Sequence, residues 1–439
     1  MPIRPPSQCP DLDFLKRVHS EQKLSDKVRY KKVCIQPVFS ADVDRNTIDS
    51  VPTSLFGDEV TVNIDKCNEV DIPKCMPVKL HVPEPYGEYN VSHLIFGVST
   101  TFDRLDDEVG TFAHWLSRPS GDGAKLIALI TDYSSHRENE IRKLQKKFRK
   151  ASINIDLVKP IDDSYTTSQS HFTVLSYMLN SSSPETQWYG LLDDDTFFPR
   201  GLKPLSDALA KLDHTEDYYV GALSEDFRAV STFGFMAFGG AGAYLSAPLA
   251  RTLGSQLHKC IEEAGHTEGD IIIRHCVYKN SKAKLTILPG LFQQDLEDDV
   301  SGFFESGVQA INFHHWKSWY KEPVVPMAAV ASYCGDCFLQ RWRFGVDTIF
   351  TNGYSIVKYL YDTDYLDLNQ MEGTWTNIAG DFDFSIGPLR RKLVPDEKKS
   401  YKLKDVEWSD NGDFKQLYVW RGNSKAKEAD GIIEIMWQR

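Results

Sequence analysis

Four short, almost uninterrupted apolar runs fall between residues 93 and 192: HLIFGVS (93–99), KLIALIT (125–131), 153–158 and WYGLL (188–192). Each is too short for a helix and shows no polar alternation. That is the pattern of a strand buried on both faces. Stretches of helical length separate them: 102–116, with apolar residues at helical spacing; 138–150, heavily charged; and 166–179. Strands alternating with helices of this length predict an α/β fold with a mainly parallel sheet. Ligands in such sheets sit beyond the carboxyl ends of the strands. The fourth run leads directly into Asp193, Asp194 and Asp195.

The flanks read differently. Residues 1–90 offer candidate strands at 30–38, 59–64 and 78–82, punctuated by Pro and Gly. From about Gly345, aromatic and β-branched segments recur at 348–354, 381–386, 406–408, 416–420 and 432–437. We expect an antiparallel β extension in which the two flanks pair and cover each other's edges. The expected division is an N-terminal β-rich segment (1–90), a catalytic domain (91–340) and a C-terminal β-rich segment (341–439).

Charge and cysteine content narrow the partners. The chain has 62 acidic and 50 basic residues, a net charge of −12. It therefore has no bulk attraction to nucleic acid or anionic lipid. No apolar run approaches the roughly 20 residues of a membrane span. The first residues, MPIRPPSQCPDLDF, contain no signal-peptide apolar region. Eight cysteines (Cys9, Cys34, Cys67, Cys75, Cys260, Cys276, Cys334 and Cys337) and two Asn-x-Ser sequons, at Asn90 and Asn180, fit a secretory lumen. The expectation is a Golgi or secretory-pathway protein, held to the membrane only by an N-terminal anchor outside this chain. Cys334-Gly-Asp-Cys337 lacks the second pair that a zinc site wants, which favours a disulfide.

Three consecutive aspartates at a strand end are costly without a cation, because like charges repel and carboxylates resist burial. Alternate residues of a strand share a face, so Asp193 and Asp195 can converge while Asp194 points elsewhere. One or two such carboxylates, completed by diphosphate oxygens, suit Mn²⁺ or Mg²⁺. A solvated acidic turn or a helix cap would use the same residues.

WYGLLDDDTFFP resembles the donor-site strand of Fringe-like inverting β-glycosyltransferases (glycosyltransferase family 31 type). Further blocks follow in order: FGGAGAYLS (238–246), similar to that family's glycine-rich segment; Glu268-Gly269-Asp270; Gln293-Gln294-Asp295; and NFHHWKSW (312–319). The last two resemble the fungal branch that includes galactofuranosyltransferases. The resemblance implies a GT-A-like nucleotide-sugar-binding core and a glycosyltransferase (hexosyltransferase) activity. It implies a UDP-sugar donor, with UDP-galactofuranose the best guess, a glycan or glycoprotein acceptor, and a role in cell-surface or cell-wall glycan synthesis. N-acetylglucosaminyl or galactosyl transfer is the alternative, and a non-catalytic glycan-binding protein on a degenerate fold another.

Residue by residue, Asp270 becomes the base that deprotonates the acceptor hydroxyl; a helix cap is its structural alternative. Ser99, Thr100, Thr101, Arg104, Asp132, Asp193, Asp194, Gly239, Gly240, Ala241 and Gly242 become donor contacts. Asp195 leads the metal ligands, with Asp193. The family's further metal-binding histidine is missing, since Phe292 stands in that block; His314 and His315 are the substitutes. Trp316 and Trp319 are candidates for stacking on the acceptor, or core residues.

Overall fold

The computed structural model describes residues 13–64, 75–265, 267–376, 384–423 and 428–438. It opens with α1 (Asp13–Gln22), β1 (Lys27–Phe39), β2 (Ile48–Val51), β3 (Val60–Asn63) and β4 (Val78–Val82). The central part runs β5 (Leu94–Thr100), α2 (Phe102–Asp107), α3 (Val109–Leu116), β6 (Lys125–Ile130), α4 (Glu138–Lys150), β7 (Asn154–Val158), α5 (Thr167–Asn180) and β8 (Trp188–Leu192). It continues α6 (Lys203–Leu209), β9 (Tyr219–Gly221), α7 (Phe227–Phe233), β10 (Ala243–Ser246), α8 (Ala247–Ser255), α9 (Leu257–Ala264), α10 (Gly269–Asn280), β11 (Leu285–Ile287), α11 (Ser301–Glu305) and α12 (Val324–Cys334). The remainder is strand: β12 (Arg341–Phe344), β13 (Thr348–Thr351), β14 (Ser355–Tyr359), β15 (Lys398–Trp408), β16 (Phe414–Trp420) and β17 (Gly431–Trp437).

A seven-stranded sheet, ordered β11-β9-β10-β8-β5-β6-β7, forms the expected α/β core. The neighbours β8, β5, β6 and β7 are parallel, as their unbroken apolar runs require. Only β10 runs against its neighbours, β8 and β9. One face is covered by α5, α8, α9 and α10 through Phe172, Leu175, Leu253, Ile261 and Ile273. The other face shares a continuous apolar core with the flanking β structure, from Phe96, Trp115 and Phe198 through to Trp342 and Trp437. Helix α5 begins at a capping box: Thr166 Oγ1 accepts from Gln169 N at 3.2 Å and Gln169 Oε1 from Thr166 N at 2.9 Å. The single helix expected over 102–116 is broken at Glu108, which caps the end of α2 and the start of α3.

The flanks form one ten-stranded sheet, with β2-β12-β13-β14-β15-β16-β17-β1-β3 in order and β4 beside β1. It is not purely antiparallel, as expected from sequence. The β1–β17, β1–β4 and β2–β12 pairs are parallel. These are the pairs that join early strands to late ones or to each other by long connections, which no hairpin constrains. The expected 348–354 strand ends at Thr351 and turns into β14; β12 (RWRF) and β14 (SIVKY) are short and mix charged with apolar residues, so neither shows a strand pattern of its own. Of the candidate strand at 381–386, residues 381–383 lie outside the described residues, and Phe384 makes an isolated bridge to Asp226.

Disulfides join Cys34 to Cys75, Cys260 to Cys276 and Cys334 to Cys337. The CxxC is thus a disulfide at the end of α12, while Cys9 and Cys67 lie outside the described residues. Among the described residues, no helix is long and apolar enough to cross a membrane.

Candidate active site

The carboxyl end of β8 meets a second segment there. Phe197 and Phe313 exchange backbone hydrogen bonds of 2.9 and 3.0 Å, which lays residues 312–315 alongside the acidic triplet. His314 Nε2 then lies 2.8 Å from Asp195 Oδ1, with both side chains buried. Burial alone would lower the imidazole, but Asp195 and Asp193 outweigh it and push His314 up to about 9. Burial likewise works against ionised Asp195, yet its bond to His314 holds it at about 2.

The other nitrogen, His314 Nδ1, lies 3.2 Å from the Gln293 carbonyl, which can only accept. Nδ1 therefore carries a proton, and Nε2 is the ligand atom of the neutral ring. His315 Nε2 lies 3.2 Å from Asp295 Oδ1 and its Nδ1 3.3 Å from Ser318 Oγ. Asp295 is fixed in turn by Ser224 Oγ at 2.5 Å, and its backbone N donates to buried Glu225. Burial, reinforced by Asp295, pushes Glu225 up to about 7.

One ligand atom from each of Asp195, His314 and His315 fits within 4.8 Å of the others. A carboxylate and two imidazoles, with carbonyl and carboxylate partners behind them, match the supporting shell of a metal site. The proton held between Asp195 and His314 is the one that a cation would displace. The donor set therefore fits a divalent cation.

Phe292, where a histidine was expected, is turned inward: its ring meets Phe303 edge-on at 4.9 Å. The 291–295 block supplies no described ligand here. It supplies the Gln293 carbonyl and the Asp295 carboxylate that orient the two histidines.

The three aspartates have separate fates. Asp194 is bound by Arg104, through Nε and one terminal guanidinium nitrogen, and by Thr100 Oγ1. It is 9% exposed and lines the cleft with its carboxylate already held by Arg104. Its role is to hold Arg104 at the cleft wall. Asp193 stands between the two ends of the site, 3.4 Å from His314 Nε2 and 3.7 Å from His171 Nδ1.

Asp270 opens the first turn of α10 and accepts a hydrogen bond from Gly239 N at 2.7 Å. Burial, with the Asp193 carboxylate close by, pushes its carboxyl up to about 7. This is the range in which a carboxylate serves as a general base.

The glycine block explains the close packing. A Cβ on Gly239 would come within 2.6 Å of Asp270 Oδ1 and 3.2 Å of Asp193 Oδ1. A Cβ on Gly240 would overlap the His314 ring. Gly240, Ala241 and Gly242 are buried and lie outside the cleft lining, where the absence of side-chain bulk lets the carboxylates and His314 pack closely. Ala241 is committed to Gln293 through its N and to Asn312 through its O.

Two adjoining cavities result. A cleft of about 720 Å³ is lined by Ser99, Thr100, Thr101, Arg104, Asp193, Asp195, His314, Lys317 and Trp319. A recess of about 250 Å³ is lined by His171, Phe233, Phe238 and Asp270. Ser99, Thr167 and Asp193 border both. Asp132 borders neither: it accepts from Phe102 N at 2.9 Å and meets His136 at 3.2 Å, which anchors α2. The Trp316 indole N–H donates to the Asp195 carbonyl at 2.9 Å and Lys317 lies over its ring. Trp319 is 41% exposed at the rim and stacks on His315 at 4.1 Å. Sequence reasoning missed His171, Phe233 and Met236, which lie outside every motif block, and gave no role to Lys317 or Phe238 within theirs.

A family model described as a protein of unknown function, DUF604, matches residues 229–332. That span holds the glycine block, Asp270, Asp295 and both histidines. Three solved structures that the chain resembles are glycosyltransferases. A mannosyltransferase from Pyrobaculum calidifontis, solved with GDP-Man and Mn²⁺, is 9% identical over 49% of this chain and 60% of its own, with a TM-score of 0.30. The present chain thus spans about 60% of the length of that relative. Mouse xyloside xylosyltransferase 1 is 10% identical over 50% of this chain and 96% of its own, at 0.31. The galactosyltransferase LgtC, with donor and acceptor sugar analogues, is 11% identical over 53% and 81%, at 0.30.

Proposed function

We propose that the protein is an inverting, metal-dependent glycosyltransferase that uses a UDP-sugar and extends a glycan or glycoprotein acceptor through a β-linkage. The observation that carries this is the pairing of a cation-fitting cluster, Asp195, His314 and His315, with a raised carboxyl, Asp270, across two joined cavities. Arg104 and Lys317 line the cleft and can meet phosphate oxygens.

Asp195, His314 and His315 would hold the cation; Mn²⁺ suits this mixed set better than Mg²⁺, which favours oxygen ligands. When bound, it neutralises the charge on the departing diphosphate. Asp270 takes the acceptor hydroxyl proton as that oxygen bonds to the anomeric carbon, and the bond to UDP breaks on the opposite face. Asp193, between cluster and base, is placed to meet the transferred sugar.

UDP-galactofuranose is the donor we favour, on the fungal-type Gln293-Gln294-Asp295 and 312–319 blocks. We place the protein in the Golgi or a neighbouring secretory lumen; three disulfides and the exposed asparagines of both sequons support that compartment. The test is UDP release from UDP-galactofuranose, UDP-galactose and UDP-N-acetylglucosamine with Mn²⁺ and an acceptor. Turnover of one donor, abolished by Asp195→Ala and Asp270→Asn, is the expected result. No turnover of any donor, or turnover untouched by both substitutions, overturns the reading.

A further inference from the structure

The recess beside Asp270 contains polar atoms that nothing described satisfies. His171 is 8% exposed, and its Nε2 has no hydrogen-bond partner among the described residues. The buried Ser99 Oγ has none either. Buried polar atoms are almost always paired, and an exception asks for a ligand. Both residues line the same recess.

The opposite wall is apolar. Phe233, Met236 and Phe238 line it, with the Phe233 and Phe238 rings edge-on at 6.5 Å. Helix α10, which carries Asp270, also fixes this wall: Arg274 donates to the Phe233 carbonyl and Tyr278 Oη to the Phe235 carbonyl. Base and wall are therefore held by one element. The volume, about 250 Å³, equals about eight waters at their share of liquid volume and suits one sugar ring. Polar edges and an aliphatic face are what a sugar ring presents.

Connectivity decides which sugar. The transferred sugar is covalently attached to the diphosphate, so it must lie between the cation cluster and the base. The cleft and the recess share Ser99, Thr167 and Asp193, so a sugar seated in the recess adjoins the cleft that holds the cation cluster. We propose, resting on the transferase reading above, that this recess holds the transferred sugar and that His171 and Ser99 hydrogen-bond its ring hydroxyls, so that they set donor choice without holding the nucleotide.

Binding calorimetry with Mn²⁺ tests this, using UDP and the tightest donor among UDP-galactofuranose, UDP-galactose, UDP-glucose and UDP-N-acetylglucosamine. His171→Ala and Ser99→Ala should each weaken UDP-sugar binding about tenfold, the size of one lost buried hydrogen bond. UDP binding should change less than twofold. His171→Gln, which keeps a polar group, should recover part of the loss and guards against misfolding. Unchanged UDP-sugar affinity in both alanine variants, with normal UDP binding, overturns the proposal. So does an equal loss for UDP and UDP-sugar, which marks a structural role. Wild-type protein that binds neither ligand overturns the transferase reading itself.

Discussion

The two sheets treat buried charge in opposite ways. Beneath the ten-stranded sheet, two buried carboxylates are met by cations. Glu372 is fully buried and meets Arg390 at 2.7 Å, Lys398 at 2.9 Å and the Leu393 N–H at 2.8 Å. Glu305 takes Ser355 at 3.0 Å, Lys402 at 3.4 Å and Lys398 at 3.6 Å. At the carboxyl end of the seven-stranded sheet, the groups are left wanting. The Asp193 carboxylate raises that of Asp270, and His171 and Ser99 hold atoms without hydrogen-bond partners among the described residues. Saturated charge fixes a shape; unsaturated charge is available for binding and proton transfer. Asp194 belongs to the first kind although it sits among the second.

That contrast can be broken most sharply at Asp270. Asp270→Asn should lower transfer by about 10²–10⁴-fold, the usual worth of a general base, and leave UDP affinity intact. The same substitution tests stability with a definite sign. A carboxyl raised to about 7 contributes stability below its unfolded value near 3.8, and this is lost as pH rises through 7. The asparagine variant should therefore melt higher than wild type at pH 8, with no such advantage at pH 3.5. For the wild type, kcat/KM should rise with pH through about 7 as the base loses its proton.

Glu372→Ala should do the reverse: a loss of about 3–5 kcal/mol in denaturant unfolding, from charges left unpaired, with the rate per folded molecule unchanged. If Glu372→Ala abolished transfer in folded protein, the division between the sheets would fail. Asp295→Asn sits between the extremes. It unseats His315 and should weaken Mn²⁺ by about 10–100-fold, read as a shifted metal titration. Lys203→Ala, which removes an exposed pair with Asp207 at 2.7 Å, should change stability by about 0.5 kcal/mol or less.

The α/β core was legible because its strands are apolar on both faces and cannot be read otherwise; 188–192 and 138–150 match the observed elements to the residue. Asp270 and Asp195 were legible through ordered motif blocks. What stayed hidden depends on side chains meeting across the chain. His171 is one residue within an amphipathic helix, and nothing local marks its orphaned nitrogen. At Asp132 and Asp194 the sequence shows a carboxylate but not the amide or guanidinium that binds it. The replacement for the absent histidine could be named, His314 or His315, but not its support from Gln293 and Asp295, which requires three segments to converge.

The parallel pairing of β1 with β17 has a consequence for biosynthesis. Tyr30 meets Glu434 across 404 positions of chain. The β1 edge must wait, unpaired and open to other chains, until β17 leaves the ribosome. Contacts of such separation form slowly. Chains that stop before Gly431 should therefore aggregate, read as a loss of soluble product on expression.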